Sequence, residues 1–431
     1  MPNLFFRGLS HTAIVSTMLL LGACSEAPAQ PLAASTGVQQ EKTTASPTIT
    51  RAEEPTPQLS FSEWRDLLRS DAMAAGVSPQ VFDRAFAGIT PNPSVIRADS
   101  SQPEFSRPVW EYIEGAVSSQ RVDQGRSLLA KERLTLDKIE QRYQVNRETL
   151  VAIWGMESNF GGNIGNFNVV RSLATLAYEG RRQVFWRSQL LAVLQILQHG
   201  DVSPEKLVGS WAGAMGQTQF IPTTYNEHAV DFDGDGKRDV WYSSADALGS
   251  AAHYLQQSGW KFNQPWGFEV RLPSEFDYSH AAPEVSRTLS QWQTLGVRPA
   301  FGSMPSVNAD AKASLLLPAG HRGPAFLVFS NFRSILRYNN STSYALAIGL
   351  LSDALRGAPG IRATWPKDDR QLGRHERIEL QELLTRKGFE PGKADGIIGA
   401  NTRKAVREFQ QQQGEPADGY PSFELLQQLR K

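Results

Sequence analysis

Apolar residues along this chain of 431 residues recur at intervals of three and four over most of its length, and cluster into short β-like runs only between about residues 266 and 329. The helical spacing predicts an amphipathic helix over 62–76 and a second one opened by Ser78-Pro79 that carries Val81, Phe82 and Phe86. A Pro-rich link leads to a helix after Pro108, and a long helical pattern runs over 118–142. Two helices over 173–179 and 181–198 follow, the second strongly apolar from Val184 and Phe185 to Leu197. Ser203-Pro204 reads as the start of another short helix, and 246–257 and 345–355 as two more. Residues 266–272, 315–317 and 325–329 read as strands, the last two joined by the turn Pro-Ala-Gly-His-Arg-Gly-Pro. Residues 276–314 carry no firm pattern. After a break at 358–370, three short helices over 372–387, 401–412 and 422–430 form a small contiguous core. The fold class is therefore mainly α with small β elements.

The first 58 residues depart from this pattern. Arg7 is followed by an apolar run over 13–21 that is too short to span a bilayer, then by Leu21-Gly-Ala-Cys24, which resembles the lipobox of bacterial lipoproteins. Residues 1–23 then read as a signal peptide, with Cys24 as the lipidated first residue of the mature chain. Ser25 in place of Asp fits onward transfer to the outer membrane of a Gram-negative bacterium. Residues 24–58, rich in Ala, Pro, Ser, Thr, Gln and Glu, read as a disordered tether averaging roughly 30 Å end to end.

Composition narrows the function classes. Forty-four basic residues balance 44 acidic ones, which excludes a global electrostatic grip on nucleic acid. Cys24 is the sole cysteine, so no disulfide forms within the chain. Seven histidines show no ligand spacing, and no Gly-rich loop follows a strand, so neither a catalytic His-bound metal nor an organic cofactor is expected.

One carboxylate stands out. Asn146 reads as the N-cap of a helix in which Leu150, Ile153 and Trp154 share a face, and Glu157 falls on that same face just before Gly161-Gly162 end the run. An acid there loses hydration and meets the negative end of a helix, two effects that raise its pKa and suit it to general acid work. A second feature is Asp231-Phe-Asp233-Gly-Asp235-Gly-Lys237-Arg-Asp239. Its carboxylates at positions 1, 3, 5 and 9, its Gly at 6 and the Lys237 carbonyl at 7 follow an EF-hand calcium loop, although Tyr242 stands where the closing Glu belongs. Carboxylates so crowded repel without a cation, which favours a structural calcium, with sodium as a substitute.

Gly-Met-Glu157-Ser-Asn-Phe-Gly resembles the catalytic Glu-Ser motif of lysozyme-like lytic transglycosylases, and Ser210-Trp-Ala-Gly-Ala-Met-Gly-Gln-Thr-Gln219-Phe-Ile-Pro resembles their second signature. With the Asp-rich loop and Arg337-Tyr-Asn-Asn-Ser-Thr-Ser-Tyr344, in that order, they match the membrane-bound lytic murein transglycosylase B family over about residues 60–356. The resemblance implies a lysozyme-like catalytic domain over 59–357 that acts on peptidoglycan glycan strands, with Glu157 as sole acid/base. It implies Ser210 and Gln219 near the scissile sugar and Tyr254, Tyr338, Tyr344 and, on a weaker motif, Tyr112 as an aromatic wall. It also supplies Asp246 as the closing ligand of the Asp loop. Residues 358–370 would then be a linker, and 371–431 resemble a three-helix peptidoglycan-binding domain through Asp395-Gly-x-x-Gly-x-x-Thr402. The reading is a periplasmic, lipid-anchored transglycosylase. A lysozyme-type muramidase and a non-catalytic wall-binding lipoprotein remain as alternatives.

Overall fold

A computed structural model describes residues 59–100, 107–282 and 284–431; the signal peptide, Cys24 and tether expected at 1–58 lie outside the described residues. Ser60 and Glu63 exchange hydrogen bonds as a capping box at the start of α1 (Phe61–Ala74). Ser78 caps α2 (Pro79–Ala85) at the expected Ser-Pro. The Pro-rich link holds a helix the pattern did not show, α3 (Pro93–Ser100), whose Val95 is buried. After α4 (Val109–Ala116), the run expected as one helix is two, α5 (Ser119–Lys131) and α6 (Arg133–Tyr143). Glu132, at φ −90° and ψ 14°, ends the first and starts the second. The break lets α5 lie on α7 (Arg147–Ser158) while α6 turns to face α11 (Ser244–Gln257).

β1 (Phe167–Asn168) pairs antiparallel with β2 (Val208–Gly209), and between them run α8 (Val169–Glu179) and α9 (Gln183–His199). Val184 and Phe185, at the start of α9, are exposed, and burial begins at Trp186. Ser203-Pro204 opens no helix. Lys206 N–H closes a turn on Ser203 O, and Leu207 O accepts the Val169 amide, which draws the chain into β2 instead. α10 (Pro222–His228) precedes the Asp loop and α11.

A five-stranded antiparallel sheet follows in the order β4-β6-β7-β3-β5, made of β3 (Gly267–Arg271), β4 (Arg287–Thr288), β5 (Arg298–Pro299), β6 (Lys312–Leu316) and β7 (Ala325–Val328). Leu315 sits opposite Leu327, and Phe326 opposite Glu269. The uninformative stretch 276–314 supplies the two edge strands and the short α12 (Leu289–Thr294), whose Trp292 is fully buried and donates Nε1–H to Ala313 O. Elements of two to six residues are too short to show a period. α13 (Ser330–Tyr338) and α14 (Thr342–Leu355) complete the region.

Two helical cores result. One gathers α4, α6, α7, α11, α13 and α14, and the other α1, α2, α3, α8 and α9 with Met215, Phe220 and Tyr225. Tyr338 packs against both, so the seam between them passes through the aromatic residues singled out above. No helix among the described residues is long and apolar enough to cross a membrane.

α15 (Arg374–Arg386), α16 (Ala400–Gln412) and α17 (Phe423–Leu429) enclose Leu380, Leu384, Val406, Phe409 and Leu426. Residues 358–370 form no regular element, yet they are tied down. Glu269 accepts the Arg362 and Ala363 amides at 2.7 Å each, Trp365 packs 6.4 Å from Trp110, and Lys367 pairs with Glu114 at 2.6 Å. Asp418, just before α17, accepts both the His321 amide and its Nδ1 at 2.7 Å, which joins the C-terminal helices to the β6–β7 turn.

Candidate active site

α7 places Glu157 as its penultimate residue, with Leu150 and Ile153 fully buried and Trp154 nearly so on the shared face. Asn146 occupies the N-cap position, but its side chain makes no capping bond; Glu140 Oε1 accepts the Arg147 amide instead. The helix stops at Ser158, earlier than the glycines, because Asn159 and Phe160 both adopt left-handed conformations, at φ +50° and +59°. That reversal folds the Phe160 ring back against Trp154 and over Gly155, where a Cβ would stand 2.7 Å from the ring. The Glu157 side chain keeps a window to solvent. Burial raises its pKa from 4.5 to about 7, opposed by a hydrogen bond from the Tyr344 hydroxyl to Oε1 at 2.5 Å. No other carboxylate among the described residues perturbs it.

Three of the expected tyrosines meet at this seam. Tyr344, near the start of α14, is buried and its phenol is held well above its ordinary pKa, first by burial and then by the Glu157 charge, so it stays a donor. Tyr338, at the end of α13, is likewise raised by burial and by Glu157, and its hydroxyl donates to Thr218 O at 2.7 Å. Tyr254 stands edge-on to Tyr338 at 5.2 Å and donates to Arg337 O at 2.6 Å. Two of the three hydroxyls are thus bound to main-chain carbonyls, where they lock α11, α13 and the 216–220 loop together, and only that of Tyr344 touches the acid. Tyr112 packs half-buried against the same core and acts electrostatically on Tyr344.

Ser210 and Gln219 shape the loop that carries them. Ser210 Oγ accepts the Ala214 amide at 3.0 Å, and Gln219, at φ +51°, donates Nε2 to Gly216 O at 2.8 Å and Ile164 O at 3.3 Å. The residue that joins this loop to α7 is one the sequence did not single out. Gln217 is buried, accepts Trp154 Nε1–H at 2.9 Å, donates to Trp241 O at 3.2 Å, and receives the Ser158 hydroxyl on its carbonyl at 2.6 Å. Gly161, at φ +81°, leaves room for it, since a Cβ there would lie 2.7 Å from Gln217 Oε1. The available signal was a polar residue inside a run of small and apolar ones, which must find partners when buried.

The Asp loop brings together four of its five expected carboxylates. Asp231, Asp233, Asp235 and Asp246 each offer a carboxylate oxygen, and these oxygens all lie within 4.8 Å of one another. Asp246 is fully buried and accepts the amides of Phe232, Asp233 and Asp239. Asp239 stands apart from the four: its Oδ1 accepts the Trp241 and Tyr242 amides at 3.0 and 2.9 Å and ends the loop. Lys237 donates its amide to Asp235 Oδ1 at 2.9 Å. An all-oxygen carboxylate set of this kind fits a hard cation such as calcium and no soft one.

Another carboxyl is also raised, Asp353 to about 6 by burial, but it accepts Trp266 Nε1–H at 2.8 Å and lines a separate apolar cavity. It is a structural acid.

Comparison with known proteins places this geometry. Residues 60–353 match the family described as Transglycosylase SLT domain, and residues 374–429 match a peptidoglycan binding domain. Membrane-bound lytic murein transglycosylase B of Escherichia coli (strain K12) is 34% identical over 226 residues, which is 51% of this chain and 60% of that protein, so the match spans less than two thirds of its length. The crystal structure of SltB3 from Pseudomonas aeruginosa in complex with NAG-anhNAM-pentapeptide aligns at a TM-score of 0.84 and 59% identity, covering 86% of this chain and 100% of that one. Escherichia coli Slt35 in complex with calcium aligns at a TM-score of 0.57 and 28% identity, over 70% of this chain and 93% of that one. The order of motifs and the lysozyme-like helical fold around Glu157 agree with these matches: the chain belongs to the SLT transglycosylase family and carries a peptidoglycan-binding domain at its C-terminal end.

Proposed function

We propose that this chain is a lytic transglycosylase that cleaves the β-1,4 bond between N-acetylmuramic acid and N-acetylglucosamine in peptidoglycan. The observation that carries the reading is Glu157 itself, a carboxyl raised to about 7 by burial and hydrogen-bonded by the Tyr344 hydroxyl. Tyr344 donates to Oε1, so the proton that passes to the substrate is assigned to the other oxygen, Oε2. Protonated Glu157 gives its proton to the glycosidic oxygen as the bond from that oxygen to the muramyl C1 breaks. The carboxylate then takes the proton of the muramyl 6-hydroxyl as that oxygen bonds to C1. No water is consumed, Glu157 regains its proton, and the product ends in 1,6-anhydromuramic acid. A hydrolase with two carboxylates would need a second acid about 5 to 10 Å away, whereas the raised pKa of Glu157 owes nothing to another carboxylate among the described residues. A pKa near neutrality suits a group that must serve as acid and then as base.

Calcium held by Asp231, Asp233, Asp235 and Asp246 would supply charge compensation to the loop, with a structural role. Lipid attachment at Cys24 on the periplasmic face of the outer membrane, with the C-terminal domain holding the wall, completes the reading.

Mass spectrometry of digested sacculi tests the reaction. Anhydro ends, lighter by one water than reducing ends, should dominate, and Glu157→Gln should lower their release by a factor of about 10² to 10⁴. Reducing muramic acid ends as the main product, or wild-type release by the variant, would refute it.

A further inference from the structure

A cavity of about 470 Å³ opens between the C-terminal helices and the elements that carry the active-site tyrosines. Its lining includes Arg333 of α13, Thr342 and Ser343 at the start of α14, and Arg377, Arg403 and Arg407 of α15 and α16. The volume falls in the range of small-molecule sites.

Four arginines around one cavity normally find carboxylates. Here, among the described residues, none of the four forms an ion pair, and the guanidinium groups of Arg377, Arg403 and Arg407 donate no hydrogen bond to protein. Arg377 Nε is buried without a partner. Arg333 reaches only the Ser314 hydroxyl, at 3.2 Å. Asp418, the carboxylate in the lining, is already bound. Its two oxygens accept the His321 amide and Nδ1, the Gln410 side chain and the Tyr420 amide. Burial holds both Arg377 and Arg403 below the usual guanidinium range. Arg333 stands exposed at the rim, while Arg377, Arg403 and Arg407 are partly buried; partly buried donors of one sign cost free energy when left unmatched and are a usual setting for a bound anion.

We propose that this cavity takes the carboxylates of the stem peptide carried by the glycan strand that Glu157 cleaves. The inference rests on the transglycosylase reading and adds a specificity site to it. Reach supports the assignment. Ser343 lines the cavity and its neighbour Tyr344 bonds Glu157, so the rim at Ser343 lies within roughly 13 Å of the carboxyl, counting one Cα step and the length of a tyrosine. An extended pentapeptide spans up to about 17 Å. The C-terminal helices would then read the peptide while the seam between the two cores reads the sugars.

The test is a binding measurement on the full chain carrying Glu157→Gln, which halts turnover. A disaccharide bearing a stem pentapeptide is titrated beside the same molecule with its carboxyl groups amidated. The free acid should bind at least about tenfold tighter than the amide, and Arg403→Gln should remove that advantage so that the two bind alike. Arg407→Gln gives the same readout if the first variant fails to fold. Equal affinity of acid and amide, including a case in which inorganic phosphate binds in their place, overturns the proposal, as does a preference that survives both substitutions. Failure of the underlying reaction shows separately, as anhydro ends released by Glu157→Gln itself.

Discussion

An acid held at about 7 instead of 4.5 destabilises the fold that holds it. Between those two values the folded chain keeps a proton that the unfolded chain has released, so stability falls as pH rises through this window and the loss is complete above about 7. At about 1.4 kcal/mol per pH unit, the gap corresponds to about 3 kcal/mol. Glu157→Gln removes the titration while it preserves volume and an oxygen that can accept from Tyr344. The variant should therefore be more stable than wild type at pH 8 and equal to it at pH 4. For a chain of this length that difference is about 4 °C in melting temperature. Differential scanning calorimetry of both proteins at the two pH values reads it directly, and every other carboxylate cancels in the comparison. The same difference at pH 4 and pH 8, or a variant that melts lower at pH 8, would refute burial as the cause of the raised pKa.

Two further outcomes follow from neighbouring contacts. Tyr344→Phe deletes the hydrogen bond that holds the Glu157 pKa down, so the alkaline limb of kcat/KM should move above its wild-type position near pH 7 while the maximum falls about tenfold, because the carboxylate form is harder to reach; an unmoved limb would deny the contact. A chelator should lower the melting temperature by about 3 to 5 °C and added calcium should restore it, since an ion present at 100 to 1,000 times its Kd contributes about 3 to 4 kcal/mol. No change in either direction would count against a bound cation.

What could be read in the sequence was whatever repeats or concentrates locally. Glu157 was visible because Leu150, Ile153 and Trp154 define a face within one helix, and the carboxylate loop because three of its aspartates alternate within five residues. α13 was not. Its Asn331 is fully buried, which a local pattern would penalise, and its partners are the Lys261 main chain and Gln264 O, about 70 residues away. The ordering of residues 358–370 was hidden for the same reason: Arg362 and Ala363 depend on Glu269, more than 90 residues earlier. Asp239 has a local role that the spacing did not show: its Oδ1 accepts the Trp241 and Tyr242 amides and so ends the loop.

Gln217 shows how these separate pieces act on one carboxyl. The end of the Asp loop presents the Val240 and Trp241 carbonyls, and Gln217 satisfies both, by its amide at 2.9 Å and its side chain at 3.2 Å. The same residue receives Trp154 and Ser158 from the last turns of α7, on either side of Glu157 in sequence. A buried amide with its donors and acceptors paired on both sides is costly to displace, because each lost partner leaves a buried polar group unmatched at about 1–3 kcal/mol. The acid therefore does not owe its position to its helix alone. It is fixed by a path from the carboxylate loop through Gln217 to α7 and by Tyr344 from α14, so the loop that would hold the cation and the residue that would move the proton form one polar network.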